Sequence, residues 1–157
     1  MTHEPMSELR LRAAVVQDGA AIGALFLASR RDALPYLPKL HSDEEALRWI
    51  VDTLIPTSAV WVAESVGRVV GFLAVEGEEL EHLYVHPEYF RRGVGQQLVA
   101  KARELSPERL HLFTFQRNTR ARAFYEAHGF IATAFSDGSR NEEHEPDVKY
   151  EWTPSLR

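Results

Sequence analysis

The residues of this chain with the clearest chemical potential stand together at Arg91-Arg92-Gly93-Val94-Gly95, five residues after the β-rich run Leu80 to Val85 and directly before a helical pattern. Two glycines let a backbone approach a ligand closely. The first amides of a helix have no intrahelical acceptor, so they point at whatever anion sits on the helix end. Arg91 and Arg92 add positive charge beside those amides, although by spacing alone the glycines also suit a plain structural turn. The segment is not Gly-x-x-x-x-Gly-Lys-Ser/Thr, and Gly93 to Leu98 lacks the third glycine of the dinucleotide fingerprint, so neither standard nucleotide loop applies. Just upstream, Glu79 and Glu81 lie two apart. In an extended chain both side chains share a face and His82 takes the other, which makes the two glutamates the candidate proton acceptors. Their plain alternative is a pair of solvated strand-end carboxylates. Together with Glu76, Glu78 and Glu88 they would draw a cation toward this end of the strand. His82 and His86, and the run Glu142-Glu143-His144-Glu145, offer no third ligand at a fixed spacing, so no metal is expected.

These groups need elements to hold them, and the chain predicts them in order. A strand over Leu9 to Val16 meets Asp18, which caps a helix whose apolar face carries Ile22, Leu25 and Phe26; Pro35 and Pro38 end it in a loop. Ser42-Asp43-Glu44-Glu45 is a capping box, and the stripe Leu47, Ile50, Val51, Leu54 predicts a second helix closed by Pro56. Ala59 to Glu64 and Val69 to Val75 read as a hairpin, and Leu80 to Val85 extends it into an antiparallel meander stopped by Pro87. Then come a helix over Gly93 to Leu105, a strand over Leu110 to Phe115, a helix over Asn118 to His128 ended by Gly129, and strands over Phe130 to Phe135 and Val148 to Trp152. The order predicts an α+β fold, also described as an α/β mixed sheet, mostly antiparallel and flanked by about four helices. One domain over residues 9–153 with a short leader, 1–8, is expected. The last strand, Val148 to Trp152, either closes a sheet edge or pairs with a second copy, which allows a homodimer.

Composition narrows the functions. A chain of 157 residues with 45% hydrophobic content can bury roughly 68–70% of its unfolded surface, so its core needs no staple. With no cysteine, a thiol nucleophile and a cysteine-ligated zinc are excluded. Apolar runs reach no more than six residues against the roughly 20 that cross a bilayer, so no membrane association is expected. Met1 to Arg10 carry two glutamates and no apolar stretch, which points to the cytoplasm. The net charge of −5 disfavours nucleic acid, yet Tyr89 to Arg122 holds eight Lys and Arg against two Glu. One basic segment on an acidic chain suits a compact polyanion better than a long phosphate backbone; the plain alternative is a solvated helix face.

Leu83-Tyr84-Val85-x-Pro87 followed by Arg91-Arg92-Gly93-Val94-Gly95-x-x-Leu98 resembles the acetyl-CoA-binding signature of the GNAT superfamily of N-acyltransferases. Asn118-x-x-Ala121-x-x-Phe124-Tyr125-Glu126-x-x-Gly129-Phe130 is similar to that superfamily's second CoA-contacting motif, at the expected distance and after the expected strand. One departure is Phe90, where the family usually has Gln or Arg.

The resemblance implies acetyl-CoA as cosubstrate and an amine acceptor, small-molecule or protein, joined in one ternary complex. Main-chain groups around Leu83, Tyr84 and Val85 would bond the pantetheine arm like an added strand. Amides from Arg91, Arg92, Gly93, Val94, Gly95 and Gln96 would hold the pyrophosphate, and Asn118 would contact the pantetheine. Tyr125 would protonate the departing thiolate, a task suited to a phenol. Glu81, slightly before Glu79, would take the amine's proton, and the loop around Tyr36 and Leu37 would shape the acceptor pocket. Trp49 and Trp61 either line that pocket or belong to the core, the core being the simpler fate. A non-catalytic acyl-CoA-binding module is the alternative, and an acetyltransferase acting on charged transfer RNA is disfavoured by the acidic balance.

Overall fold

Residues 9–154 are described by a computed structural model, and the leader 1–8 lies outside them. Leu9–Ala13 (β1), Ala59–Ser65 (β2), Arg68–Glu76 (β3) and Glu79–Val85 (β4) form the antiparallel meander. Gly19–Ala33 (α1) and Asp43–Trp49 (α2) lie between β1 and β2 in the chain. Val94–Leu105 (α3), Leu110–Phe115 (β5), Thr119–Ala127 (α4), Ile131–Ser136 (β6) and Asp147–Trp152 (β7) complete it. The seven strands make one mixed sheet in the order β1-β2-β3-β4-β5-β7-β6, with β5 parallel to β4.

Strand β3 is apolar between its charged ends, Arg68 and Glu76, because both of its faces are covered there. On one side Phe72 and Ala74 pack with Ile22 and Leu25 of α1 and with Ile50 and Leu54; on the other, Leu73 and Val75 pack with Val94, Leu98, Val99 and Ala102 of α3 and with Tyr125 of α4. At roughly 2 kcal/mol per fully buried aliphatic side chain, these two half-cores hold the sheet between the helix pairs. No helix among the described residues is long and apolar enough to cross a membrane.

Three expectations are corrected. The second helix does not stop before Pro56: it widens into a π-helical stretch, Ile50–Leu54, and continues through Ile55–Thr57. A proline has no N–H for the carbonyl four residues back and its ring crowds that carbonyl, so the turn before it opens. Strand β7 is hydrogen-bonded to β5 on one side and β6 on the other, so it neither closes an edge nor offers one to a second copy. Asp18 does not cap α1 with its side chain. It closes a 3-10 turn, Val16–Asp18, and binds the Arg12 guanidinium with both oxygens at 2.9 Å while accepting the Val15 N–H at 2.8 Å.

The Arg12 bonds hold the Asp18 carboxyl below its ordinary value of 3.8. A depressed carboxyl contributes stability that is present above that ordinary value and is lost as pH falls through the lowered one. Asp18→Asn is expected to destabilise by about 2 kcal/mol at neutral pH, and the gap to the parent protein should narrow at pH 3. Urea midpoints of both proteins at the two pH values check this.

Candidate active site

Strands β4 and β5 touch only at their start. Glu79 pairs with His111, the His111 N–H donates to the Glu78 carbonyl at 2.9 Å, and the strands then part. The gap is a cleft of about 590 Å³ walled by residues 80–85 of β4 and 112–115 of β5. On its other side β4 bonds β3, and the His86 N–H donates to the Val70 carbonyl at 2.8 Å. In an antiparallel ladder both polar groups of a residue face the same neighbour and successive residues alternate. Groups of Tyr84 and His86 therefore face β3, and those of Leu83 and Val85 face the cleft as an unpaired strand edge.

The cleft runs on to the start of α3. Gly93 precedes the helix in the left-handed conformation, with φ of 84°, and Arg91 is also left-handed at 66°. Among the described residues no side chain caps this helix and its first backbone bond is from the Gln97 N–H to the Gly93 carbonyl, so the amides before Gln97 have no partner there and lie at the positive end of the helix dipole. Gly95 is required for a different reason. A Cβ there would lie 2.9 Å from the Phe124 ring, which packs directly on the first turn. Arg91, Gly93, Gly95, Gln96 and Asn118 all line the cleft; Arg92 and Val94 do not. Val94 is buried in the core, and the Arg92 guanidinium lies 5.1 Å from the Tyr89 ring centre, so only their main chains belong to the turn.

Phe90 has a use that the sequence reading missed. The Arg120 guanidinium lies 4.7 Å over its ring and 3.1 Å from Asp32, and both Phe90 and Arg120 line the cleft. A charge absent at position 90 is thus supplied from α4. Asn118 caps α4: its carbonyl oxygen accepts the Ala121 N–H at 3.2 Å, which leaves its NH₂ group for the cleft.

Tyr125 closes the inner end, only 8% exposed, with ring centres of Phe124 at 5.3 Å and Phe130 at 5.5 Å. Among the described residues nothing bonds its hydroxyl. Burial raises it well above the ordinary phenol value, and the neighbouring Tyr84 adds to the shift.

The glutamates separate. Register shifts between β3 and β4, with Leu80 opposite Val75 and His82 opposite Ala74, so Glu81 is an extra residue in the strand. This bulge resets the alternation. His82 does not lie opposite Glu81 as expected; it joins Phe72 and Tyr84 on the α1 side. Glu81 lines the cleft and accepts the Ser58 hydroxyl at 2.7 Å. Burial raises its carboxyl above the ordinary range against the Ser58 bond, and Glu76 and Glu79 raise it further. Glu79 is outside the cleft, its side chain 41% exposed and 4.0 Å from His111.

The basic segment does not form one patch. Arg117 pairs with Glu145, Arg122 bonds Tyr150, and Arg103 bonds the His128 carbonyl beneath Trp152. Only Arg91 and Arg120 of that segment reach the cleft. Of the tryptophans, Trp61 packs against the core under Lys101, whereas Trp49 is 40% exposed and lines a second cavity of about 820 Å³ with Leu37 of the proline loop. Tyr36 lies under the Arg117 guanidinium, 3.7 Å away.

The family profile described as an acetyltransferase (GNAT) domain matches residues 56–132, which supply β4, the glycine turn, β5 and α4 of this cleft. The peptidyl-lysine N-acetyltransferase YiaC of Escherichia coli is 32% identical over 111 residues, 70% of this chain and 75% of that protein. The peptidyl-lysine N-acetyltransferase YjaB of Salmonella typhimurium is 28% identical over 130 residues, 82% and 88% of the two chains. The solution structure of apo YjaB from Escherichia coli superposes with a TM-score of 0.76 at 24% identity, covering 92% of this chain and 97% of that one. PaiA N-acetyltransferase from Thermoplasma acidophilum, solved in complex with coenzyme A, gives 0.73 at 18% identity over 92% and 98%. A cleft between parted strands, leading to an uncapped helix start, thus occurs in a chain that belongs to the GNAT family of acetyltransferases.

Proposed function

We propose that the protein transfers an acetyl group from acetyl-CoA directly to a primary amine, with both substrates bound together, and that the acceptor is a lysine side chain. The observation that carries this is the continuity of one cleft: the free edge of β4 at Leu83 and Val85, the open amides at Gly93 to Gln96, and the buried Tyr125 hydroxyl all border it. Main-chain groups of Leu83 and Val85 extend the sheet onto the pantetheine, with Tyr84 beside them. The amides of Arg91 to Gln96, with the charges of Arg91 and Arg120, hold the pyrophosphate. The amine nitrogen attacks the thioester carbonyl, the carbon–sulfur bond breaks, Tyr125 protonates the thiolate, and the proton the new amide nitrogen sheds restores the phenol directly or through water. Glu81 draws a proton from the ammonium, directly or through water; its carboxyl is raised by burial and lines the cleft, which Glu79 does not. The acceptor class rests on the relatives named peptidyl-lysine N-acetyltransferases. A cytoplasmic site of action and a single unit over residues 9–153 belong to the same reading.

Incubating the protein with acetyl-CoA and a single-lysine peptide tests it. Free thiol should appear together with one acetyl group on the peptide. CoA binding with no thiol released for any amine would support the non-catalytic module instead.

A further inference from the structure

Two local irregularities of the fold meet at one hydrogen bond. The first is the widened helix before β2: Ile50–Leu54 is π-helical, Ile55–Thr57 continues it past Pro56, and the Ser58 N–H closes it on the Leu54 carbonyl at 3.0 Å. Ser58 itself turns to extended backbone, with φ of −125° and ψ of 160°, one residue before β2. The second is the bulge at Glu81, which sets an extra residue of β4 against the step from Ala74 to Val75 in β3. Ala59 of β2 lies opposite Val75 from the other side, so Ser58 and Glu81 reach the same end of the sheet from the two strands that flank β3. The Ser58 hydroxyl donates to Glu81 Oε1 at 2.7 Å, between residues 23 apart in sequence. Widened helix turns and strand bulges re-aim side chains and concentrate at functional sites.

Resting on the acetyltransferase reading above, we propose that Ser58 is the positioning residue for Glu81: its hydroxyl holds Oε1 and leaves Oε2 for the proton of the acceptor amine or of a bridging water. A carboxylate has two accepting oxygens in one plane, so fixing one sets where the other points. A hydroxyl donor also bonds the charged form of a carboxyl better than the neutral form. That matters here, because burial raises Glu81 and the carboxylates of Glu76, at the end of β3, and Glu79, on β4, raise it further, while the Ser58 bond acts the other way. Other charged groups around it are already paired: His111 lies 4.0 Å from Glu79, Arg30 bonds Glu143, and Arg120 bonds Asp32. His82, next along the strand, is pushed by burial down to about 4 and is uncharged at neutral pH. Among these groups it is the Ser58 hydroxyl that holds Glu81 toward its ionised form, the form able to take a proton. Removing that hydroxyl should move the Glu81 titration upward, so activity is lost on the acid side and converges with the parent as pH rises.

The test uses the full chain. Carbon-13 NMR of the side-chain carboxyls follows Glu81 in the free protein, its signal identified by its loss in Glu81→Gln. In Ser58→Ala the midpoint is expected to move up by about one pH unit; in Ser58→Thr, which keeps the hydroxyl and suits extended backbone, it should stay with the parent. With acetyl-CoA and the single-lysine peptide, the acid limb of kcat/KM should shift alike, which costs Ser58→Ala about tenfold on that limb and little above it. Ser58→Val, isosteric with the threonine variant, carries the comparison if Ser58→Ala does not fold. Thr57→Ala removes a hydroxyl from the same turn, one that bonds the Thr53 carbonyl at 2.6 Å, and should leave both titrations unchanged. In a Glu81→Gln background Ser58→Ala should cost little further, since a residue acting through Glu81 has nothing left to act on. A Glu81 midpoint equal in the parent and Ser58→Ala overturns the inference, as does a shift of the same size in Thr57→Ala or a full Ser58→Ala loss beside Glu81→Gln. A parent protein that acetylates no amine, or a Glu81→Gln variant as active as the parent, overturns the reading beneath it instead, and the NMR midpoints still decide whether Ser58 holds the carboxyl.

Discussion

Tyr125→Phe is expected to lower kcat about 10²-fold while the dissociation constant of acetyl-CoA changes by less than about twofold. The expectation follows from how the ring is held. Phe124, Phe130 and Tyr150 surround Tyr125, the last at 6.3 Å, and a phenylalanine ring makes the same contacts, so packing and fold survive the change. Only the hydroxyl is lost, and among the described residues that hydroxyl bonds to nothing. Burial has moved it away from easy ionisation, which at first sight weakens it as an acid toward a thiol of ordinary value near about 8.5. The same apolar surround would disfavour a thiolate as well, which favours its protonation by a neighbouring hydroxyl. Stopped-flow measurement of thiol release at saturating peptide reads the effect directly. Unchanged turnover would remove Tyr125 from the mechanism and leave protonation of the thiolate to water.

Gly95→Val is expected to weaken acetyl-CoA binding at least about tenfold, with a smaller loss of stability of about 1–3 kcal/mol. Gly95 has ordinary helical geometry, so backbone strain is not the cause. The added Cβ meets the Phe124 ring at 2.9 and 3.0 Å, and that ring both lines the cleft and packs against Tyr125. Relief requires either the ring to swing into the cleft or the first turn of α3 to move off it, and each displaces the open amides from the diphosphate. Calorimetric titration with CoA, beside a melting curve to show the variant folded, decides it. Equal affinity in parent and variant would show that the diphosphate does not sit at this helix start.

Much of this site is legible along the chain because its parts are local. The capping box at Ser42 and Glu45, the strand stopped by Pro87 and the glycine at Gly93 each depend on contacts within a few residues, and all appear where expected. The family resemblance pointed to the backbones of Leu83 and Val85, and the hydrogen bond of His86 to β3 puts those groups on the cleft side. The bulge was not legible. It depends on how β3 and β4 align across the ladder, and no residue type in Leu80-Glu81-His82 announces an extra residue. The fate of the arginines was equally hidden, since Arg117 and Arg122 find partners 28 residues away in sequence.

By itself the amino-acid order determined the strand and helix succession and the glycine turn at Gly93 before α3, while Tyr125 was pointed to only by the family resemblance. The first two follow from periodicity and from backbone conformations that only certain residues tolerate. The tertiary structure alone decided that β7 inserts between β5 and β6, that Glu81 rather than Glu79 faces the cleft, that Arg120 covers Phe90, and that His82 stands between two cavities. Each of these depends on which surfaces meet after the chain has closed on itself, and side-chain contacts over long sequence separations leave no periodic trace along the chain.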